Sequence, residues 1–88
     1  MGNAARWRDR VCADMLNVAA MSEHQVAVDD VAAVVDGIAS YIAAGEVVIK
    51  MSRRRWRCLR YLEARGQIER LAGDLIKPVG VRDGELLG

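Results

Sequence analysis

One stretch of the chain places branched apolar residues at alternating steps of three and four, and this spacing constrains the fold more than any other feature. The residues of this seam are Val28, Val31, Val35, Ile38 and Ile42. The spacing predicts an amphipathic α-helix, which we place over residues 23–44. A second apolar line beside the seam leaves only a narrow polar strip. Such a helix either lies at the centre of the fold or packs on another chain, so the seam is also a candidate homodimer or partner interface.

The ends of this second predicted helix carry terminal signals. Ser22 and Gln25 have the spacing of a capping box, in which each side chain bonds the other residue's backbone amide. Gly45 follows the last apolar residue and suits the left-handed conformation that closes many helices.

The remaining segments predict a mainly α fold in a single small domain spanning residues 1–88. The expected elements are a first helix over 4–20, an extended segment over 46–51, a third helix over 53–65, a fourth over 67–76 and a hairpin or irregular tail over 77–88. Trp7, Val11, Met15 and Val18 form the apolar stripe of the first helix. Pro78 is expected to stop the fourth.

Charge is divided sharply along the chain. Residues 11–49 contain six acidic residues and no Lys or Arg, whereas residues 50–70 contain eight basic residues and two acidic ones. The net charge of +1 hides this division. Such an asymmetry indicates a partner of one sign.

The third predicted helix concentrates the positive charge. Cys58, Leu59 and Leu62 are expected to face the core, with the basic residues on the opposite side. Guanidinium groups bind phosphates and aromatic rings stack on bases or sugars. The candidate nucleic-acid-binding residues are therefore Arg53, Arg54, Trp56, Arg57, Arg60, Tyr61 and Arg65.

Two other interpretations of this basic helix stay open. Asp29, Asp36 and Glu46 could neutralise its arginines within the fold, or the charged face could simply be solvated. Alternatively, the arginines could bind an acidic protein surface.

Residues 55–72 resemble the opening of winged-helix regulators, with an amphipathic helix, a break at Gly66 and an Ile-x-x-Leu-Ala step from Ile68. The resemblance implies the order helix, strand, helix, helix and terminal hairpin. The chain departs from that pattern. A winged helix needs a recognition helix after a tight turn, whereas here Pro78 and glycines follow the fourth helix directly. We assign no family.

Nothing in the sequence indicates catalysis, so we expect no enzyme, no cofactor, no metal and no small-molecule substrate. His24 is the sole histidine, and no metal-ligand spacing surrounds Cys12 or Cys58. Two free thiols are typical of a reducing cytoplasm. Three aspartates within the apolar stretch 26–49 exclude a membrane span, because each costs about 2.5–3.5 kcal/mol at a bilayer centre.

The leading hypothesis is a small cytoplasmic nucleic-acid-binding regulator. The alternative is an effector of the phage or plasmid type that inhibits or modulates a host protein by binding it. A third hypothesis is a structural subunit of a larger assembly.

Overall fold

The computed structural model describes residues 2–15 and 25–81, which form three helices and a small antiparallel sheet. The elements are α1 (Asn3–Asp14), α2 (Val28–Ala43), β1 (Ile49–Lys50), α3 (Trp56–Ala64), β2 (Ile68–Arg70) and β3 (Leu75–Pro78). A single turn of 3-10 helix, Arg53–Arg55, leads directly into α3. The described residues thus form a mixed helix-and-sheet domain in place of four helices.

Helix α2 lies at the centre of the core, in contact with both α1 and α3. Four of the five seam residues, from Val31 to Ile42, are at most 1% exposed, and only Val28 reaches the surface at 44%. Trp7 and Val11 of α1 and Leu59 and Leu62 of α3 belong to the same core. The central-helix interpretation is therefore correct, and the four buried seam side chains are not available as a partner interface, whereas Val28 is exposed.

Helix α2 begins later than the sequence predicts. Gln25 has a positive φ of 54°, so the chain is not yet helical there, and the first helical residue is Val28. Ser22, the other half of the predicted capping box, lies outside the described residues. The first turn of α2 is stabilised instead by the carboxylates of Asp29 and Asp30, which complement the helix dipole.

The same closing motif ends α2 and α3. Gly45 and Gly66 adopt positive φ values of 92° and 74°. The next residue in each case donates its amide to a carbonyl five positions earlier, Glu46 to Tyr41 at 3.0 Å and Gln67 to Leu62 at 2.9 Å. These bonds satisfy terminal carbonyls, which confirms the predicted closing role of both glycines.

The three strands form an antiparallel sheet in the order β1-β3-β2. Ile49 pairs with Ile76, and Ile68 pairs with Pro78. These residues are buried against the helices, whereas Lys50, Leu75 and Lys77 are exposed on the outer face. The sheet therefore covers one side of the core with a single apolar face.

The predicted fourth helix, residues 67–76, is wrong. Its apolar residues fit a helical period, but they form strands β2 and β3 around a turn in which Gly73 has a φ of 71°. Pro78 ends β3 without disrupting the sheet, because β1 pairs only with Leu75 and Ile76. At Pro78 the central strand therefore has a neighbour on one side only.

The described residues include only part of the first predicted helix and part of the predicted tail. Helix α1 ends at Asp14, and residues 16–20 of the predicted first helix lie outside the described residues. Of the predicted hairpin or irregular tail over 77–88, Lys77 and Pro78 belong to β3, residues 79–81 form no strand, and residues 82–88 lie outside the described residues. Within the described ranges, no helix has the length and apolar character needed to cross a membrane.

Gln67 connects α1 to the hairpin. Its carbonyl accepts hydrogen bonds from the Trp7 indole at 3.1 Å and from the Val79 amide at 3.0 Å. Its side-chain oxygen accepts from Nε of Arg10 at 3.0 Å, and its side-chain nitrogen donates to the Asp14 carboxylate. Although Gln67 is only 5% exposed, its polar groups have partners, as a buried amide requires.

Candidate nucleic-acid interface

Helix α3 has one buried and one exposed face. Cys58, Leu59, Tyr61 and Leu62 are buried, while Arg57 and Arg60 are exposed one turn apart. Arg54 is also exposed in the 3-10 turn that precedes the helix. We refer to Arg54, Arg57 and Arg60 as the arginine face.

The arginine face is not neutralised by the acidic helix. Among the described residues, no carboxylate oxygen lies within 4.0 Å of a guanidinium nitrogen of Arg54, Arg57 or Arg60. Asp36 of α2 instead pairs with Arg8 of α1 across 3.1 Å. The arginine face therefore presents its charge to solvent.

The beginning of α3 adds to this positive potential. Arg53, Arg54 and Arg55 occupy the turn that enters the helix, where backbone amides already carry partial positive charge. A cation near a helix amino terminus is unfavourable by about 0.3–1 kcal/mol at low salt. The first turn contains no acidic residue to offset this cost.

Trp56 is already engaged by arginine side chains. The guanidinium carbons of Arg53 and Arg70 lie 5.3 Å and 4.5 Å from its ring centroid. Nε of Arg70 lies 3.2 Å from a carboxylate oxygen of Glu63, which holds that guanidinium beside α3. The half-buried indole stabilises the junction of α3 and the hairpin and is not free to stack on a base.

The other predicted site residues divide into two groups. Arg53 keeps 81% of its side chain exposed while lying 3.6 Å from Asp74 in the hairpin turn. Arg65 is 30% exposed and lies 3.9 Å from Asp14 of α1. Arg53 can therefore join an external contact, whereas Arg65 links two elements of the fold.

The predicted surface position of Tyr61 is wrong, because its side chain is completely buried. Helix α3 packs against both α2 and β2, so its buried side is wider than the three predicted core residues. Tyr61 lies within that wider contact and belongs to the core.

A second feature is a cavity of about 370 Å³ beside α2 and α3, whose lining includes Arg54 and Arg57 of the arginine face. Asp30, Arg55 and Cys58 are among its lining residues. Burial raises the pKa of the Cys58 thiol above its ordinary value, the Asp30 carboxylate raises it further, and Arg55 acts in the opposite direction. Cys58 thus stays a neutral thiol near pH 7 and is a poor nucleophile.

Comparisons with known proteins assign no family to this arrangement. No family model, no curated protein and no solved structure matches the chain. Among the described residues, no group of three His, Cys, Asp or Glu side chains is placed to hold a metal ion.

The sequence pattern does not reveal the roles of Arg70 and Asp74. Both act only because the hairpin folds back on the start of α3, and residues 67–76 carry a helix-like spacing. The available signal is the dipeptide Gly73-Asp74 between two short runs, which is typical of a hairpin turn.

Proposed function

We propose that this protein is a small regulator that binds double-stranded DNA through the arginine face. The observation that carries the proposal is the exposure of Arg54, Arg57 and Arg60 without a carboxylate partner among the described residues. Phosphate contacts supply most of the affinity of such proteins, and arginine forks bind phosphate oxygens in pairs.

The geometry of α3 favours a duplex over a single strand. Binding of single strands relies on exposed aromatic rings as stacking platforms, but Tyr61 is buried and Trp56 is covered by Arg53 and Arg70. Arg57 and Arg60 stand instead on one exposed helix face, with side chains about 5–6 Å apart at their Cβ atoms. A helix of this kind fits the major groove of B-form DNA, whereas the major groove of duplex RNA is too deep and narrow.

The hairpin turn extends the same surface. Asp74 contacts Arg53, and Arg70 contacts Trp56, so the turn lies beside the amino-terminal end of α3. Ala64 continues the exposed face beyond Arg60 with a side chain small enough to permit close approach. The proposed interface therefore comprises the exposed face of α3 and the adjoining hairpin turn.

Fluorescence anisotropy with a labelled duplex of mixed sequence tests the proposal. The double variant R57A/R60A should bind at least about tenfold more weakly than the natural protein. The control R6A/K77A removes the same charge from exposed positions on α1 and the outer sheet face and should bind within about twofold of the natural protein. If both variants lost the same amount of duplex affinity, binding would depend on the net charge of the protein and not on the arginine face. No binding by the natural protein, together with capture of an acidic protein through Arg57, would favour the protein-binding effector.

A further inference from the structure

A second basic site lies on the other side of Arg54, at the carboxyl-terminal end of α2. A cavity of about 410 Å³ opens there, lined by Tyr41, Lys50, Met51, Ser52, Arg54 and Arg55. Its volume falls within the range of about 300–1,000 Å³ that is typical of small-ligand sites. The outward-facing α3 residues Arg57 and Arg60 do not line it.

The charges of this cavity are uncompensated. Lys50, Arg54 and Arg55 contribute three cations, and no carboxylate oxygen of the described residues lies within 4.0 Å of their charged nitrogens. Bringing like charges together is unfavourable unless an anion joins them. The cavity is therefore electrostatically suited to a compact anion of high charge.

Arg55 lines both this cavity and the one beside Cys58, and it contacts α2 between them. A Cβ atom built on Gly37 would lie 3.4 Å from Nη1 of Arg55, so the guanidinium rests against the helix at that glycine. Gly37 and Tyr41 are four residues apart and share a helix face. The guanidinium of Arg55 and the ring of Tyr41 are thus neighbours along the same wall.

Two further lining groups give the cavity chemical selectivity. Ser52 precedes the 3-10 turn but makes no side-chain capping bond, so its hydroxyl is available as a donor. Tyr41 is 43% exposed, which leaves a ring surface open for stacking, and the buried Met51 forms an apolar part of the wall. The combination offers cations and a hydroxyl for a phosphate and an aromatic face for a planar ring.

We propose that this cavity binds a mononucleotide, with its phosphate held by Lys50, Arg54, Arg55 and Ser52 and its base stacked on Tyr41. The site shares Arg54 with the arginine face but does not include Arg57 or Arg60, so variants at those two residues test DNA binding separately. Isothermal titration calorimetry with adenosine 5′-monophosphate as the probe should show saturable binding. Inorganic phosphate and adenosine, each lacking one half of the recognised structure, should each bind at least about tenfold more weakly.

Matched variants separate the two recognition elements. Lys50→Gln and Tyr41→Ala should each weaken binding of the probe by about tenfold or more, while Tyr41→Phe, which keeps the ring, should bind as the natural protein does. Lys77→Ala is the charge control, because Lys77 lies on the same outer sheet face away from the cavity lining. Thermal unfolding of each variant should match the natural protein, since the substituted side chains are exposed.

Three results would overturn the nucleotide site. They are the absence of saturable binding, equal affinity for phosphate and the mononucleotide, and equal losses in Lys50→Gln and Lys77→Ala. The variant R57A/R60A separates this proposal from the DNA proposal, because it should lose the duplex and keep the mononucleotide. Retained mononucleotide binding in a protein that binds no DNA would contradict only the proposed function.

Discussion

The indole nitrogen of Trp7 donates a hydrogen bond to the backbone carbonyl of Gln67 across 3.1 Å, between residues 60 positions apart. This bond joins the first helix to the residue between Gly66, which closes α3, and Ile68, which begins β2. Gln67 also holds Arg10 and Asp14 through its side chain. The orientation of the hairpin beside α3 therefore depends on α1, although α1 contributes nothing to the arginine face.

Substitutions at Trp7 should separate the hydrogen bond from the packing. Trp7→Phe removes the donor but leaves the Gln67 carbonyl bonded to the Val79 amide, so we expect a loss of about 1 kcal/mol in unfolding free energy. Trp7→Ala also removes a side chain that is 2% exposed, and should cost about 3–5 kcal/mol. Urea denaturation measures both. Equal losses would show that the ring packing contributes little.

Gln67→Leu should destabilise the junction by about 1–3 kcal/mol, because it removes the side-chain hydrogen bonds that Gln67 makes to Arg10 and Asp14 in a partly buried site. Glu69→Leu on the same strand replaces an exposed side chain and should change stability by less than about 0.5 kcal/mol. The comparison uses the midpoint of chemical denaturation. A Gln67 variant as stable as the natural protein would show that the side-chain hydrogen bonds of Gln67 do not contribute to holding α1 in place.

Two glycine substitutions should have opposite signs. Gly37 lies inside α2, and an added methyl would meet only the flexible end of Arg55, so Gly37→Ala should stabilise the protein by about 0.5–1 kcal/mol. Gly66 has a φ of 74°, which an alanine adopts only with strain, so Gly66→Ala should destabilise it by about 1 kcal/mol. Melting temperatures provide the measurement. A lower melting temperature for Gly37→Ala would mean that the close contact of Arg55 with Gly37 stabilises the fold.

The two thiols should differ in reactivity and in their effect on stability. Cys12 is exposed and Cys58 is buried with a raised pKa, so iodoacetamide should label Cys12 first, and urea should remove the difference. A thiol with a raised pKa in the folded state stays protonated after the unfolded chain has lost that proton. Stability linked to Cys58 is therefore complete below the ordinary thiol pKa of about 8.5, and it is lost as pH rises from there through the higher pKa of the folded state.

Cys58→Ala provides the check on this linkage. The variant should be less stable at every pH because it leaves a cavity in the core. Its stability should nevertheless fall less steeply than that of the natural protein at alkaline pH. Parallel pH profiles for the two proteins would exclude a contribution from Cys58.

The central helix and the exposed arginines follow from the sequence, because both are local. The spacing from Val31 to Ile42 matches one helix face, and α3 keeps Arg57 and Arg60 opposite Cys58 and Leu59. The sequence does not predict the hairpin of β2 and β3, because Ile68, Leu71 and Leu75 fit a helical period. What decides between helix and strands is the pairing of β3 with β1, a partner more than 20 positions away.

The burial of Tyr61 and the stacking on Trp56 have the same origin. A helical projection assigns faces within one element, but it does not show how many neighbours that element has. Helix α3 contacts both α2 and β2, so Tyr61 is enclosed. Arg70 reaches Trp56 from the hairpin, across 14 positions of sequence. The local pattern therefore predicts the exposure of the arginine face, but it does not predict the contacts of Tyr61, Trp56 or Arg65.

The dependence of duplex affinity on salt concentration tests the central claim most directly. If Arg57 and Arg60 each contact a phosphate, the slope of log affinity against log salt should decrease in magnitude by about 1.8 in R57A/R60A, or about 0.9 per lost contact. The control R6A/K77A should keep the slope of the natural protein. An unchanged slope in R57A/R60A, or an equal change in the control, would contradict DNA binding through the exposed face of α3.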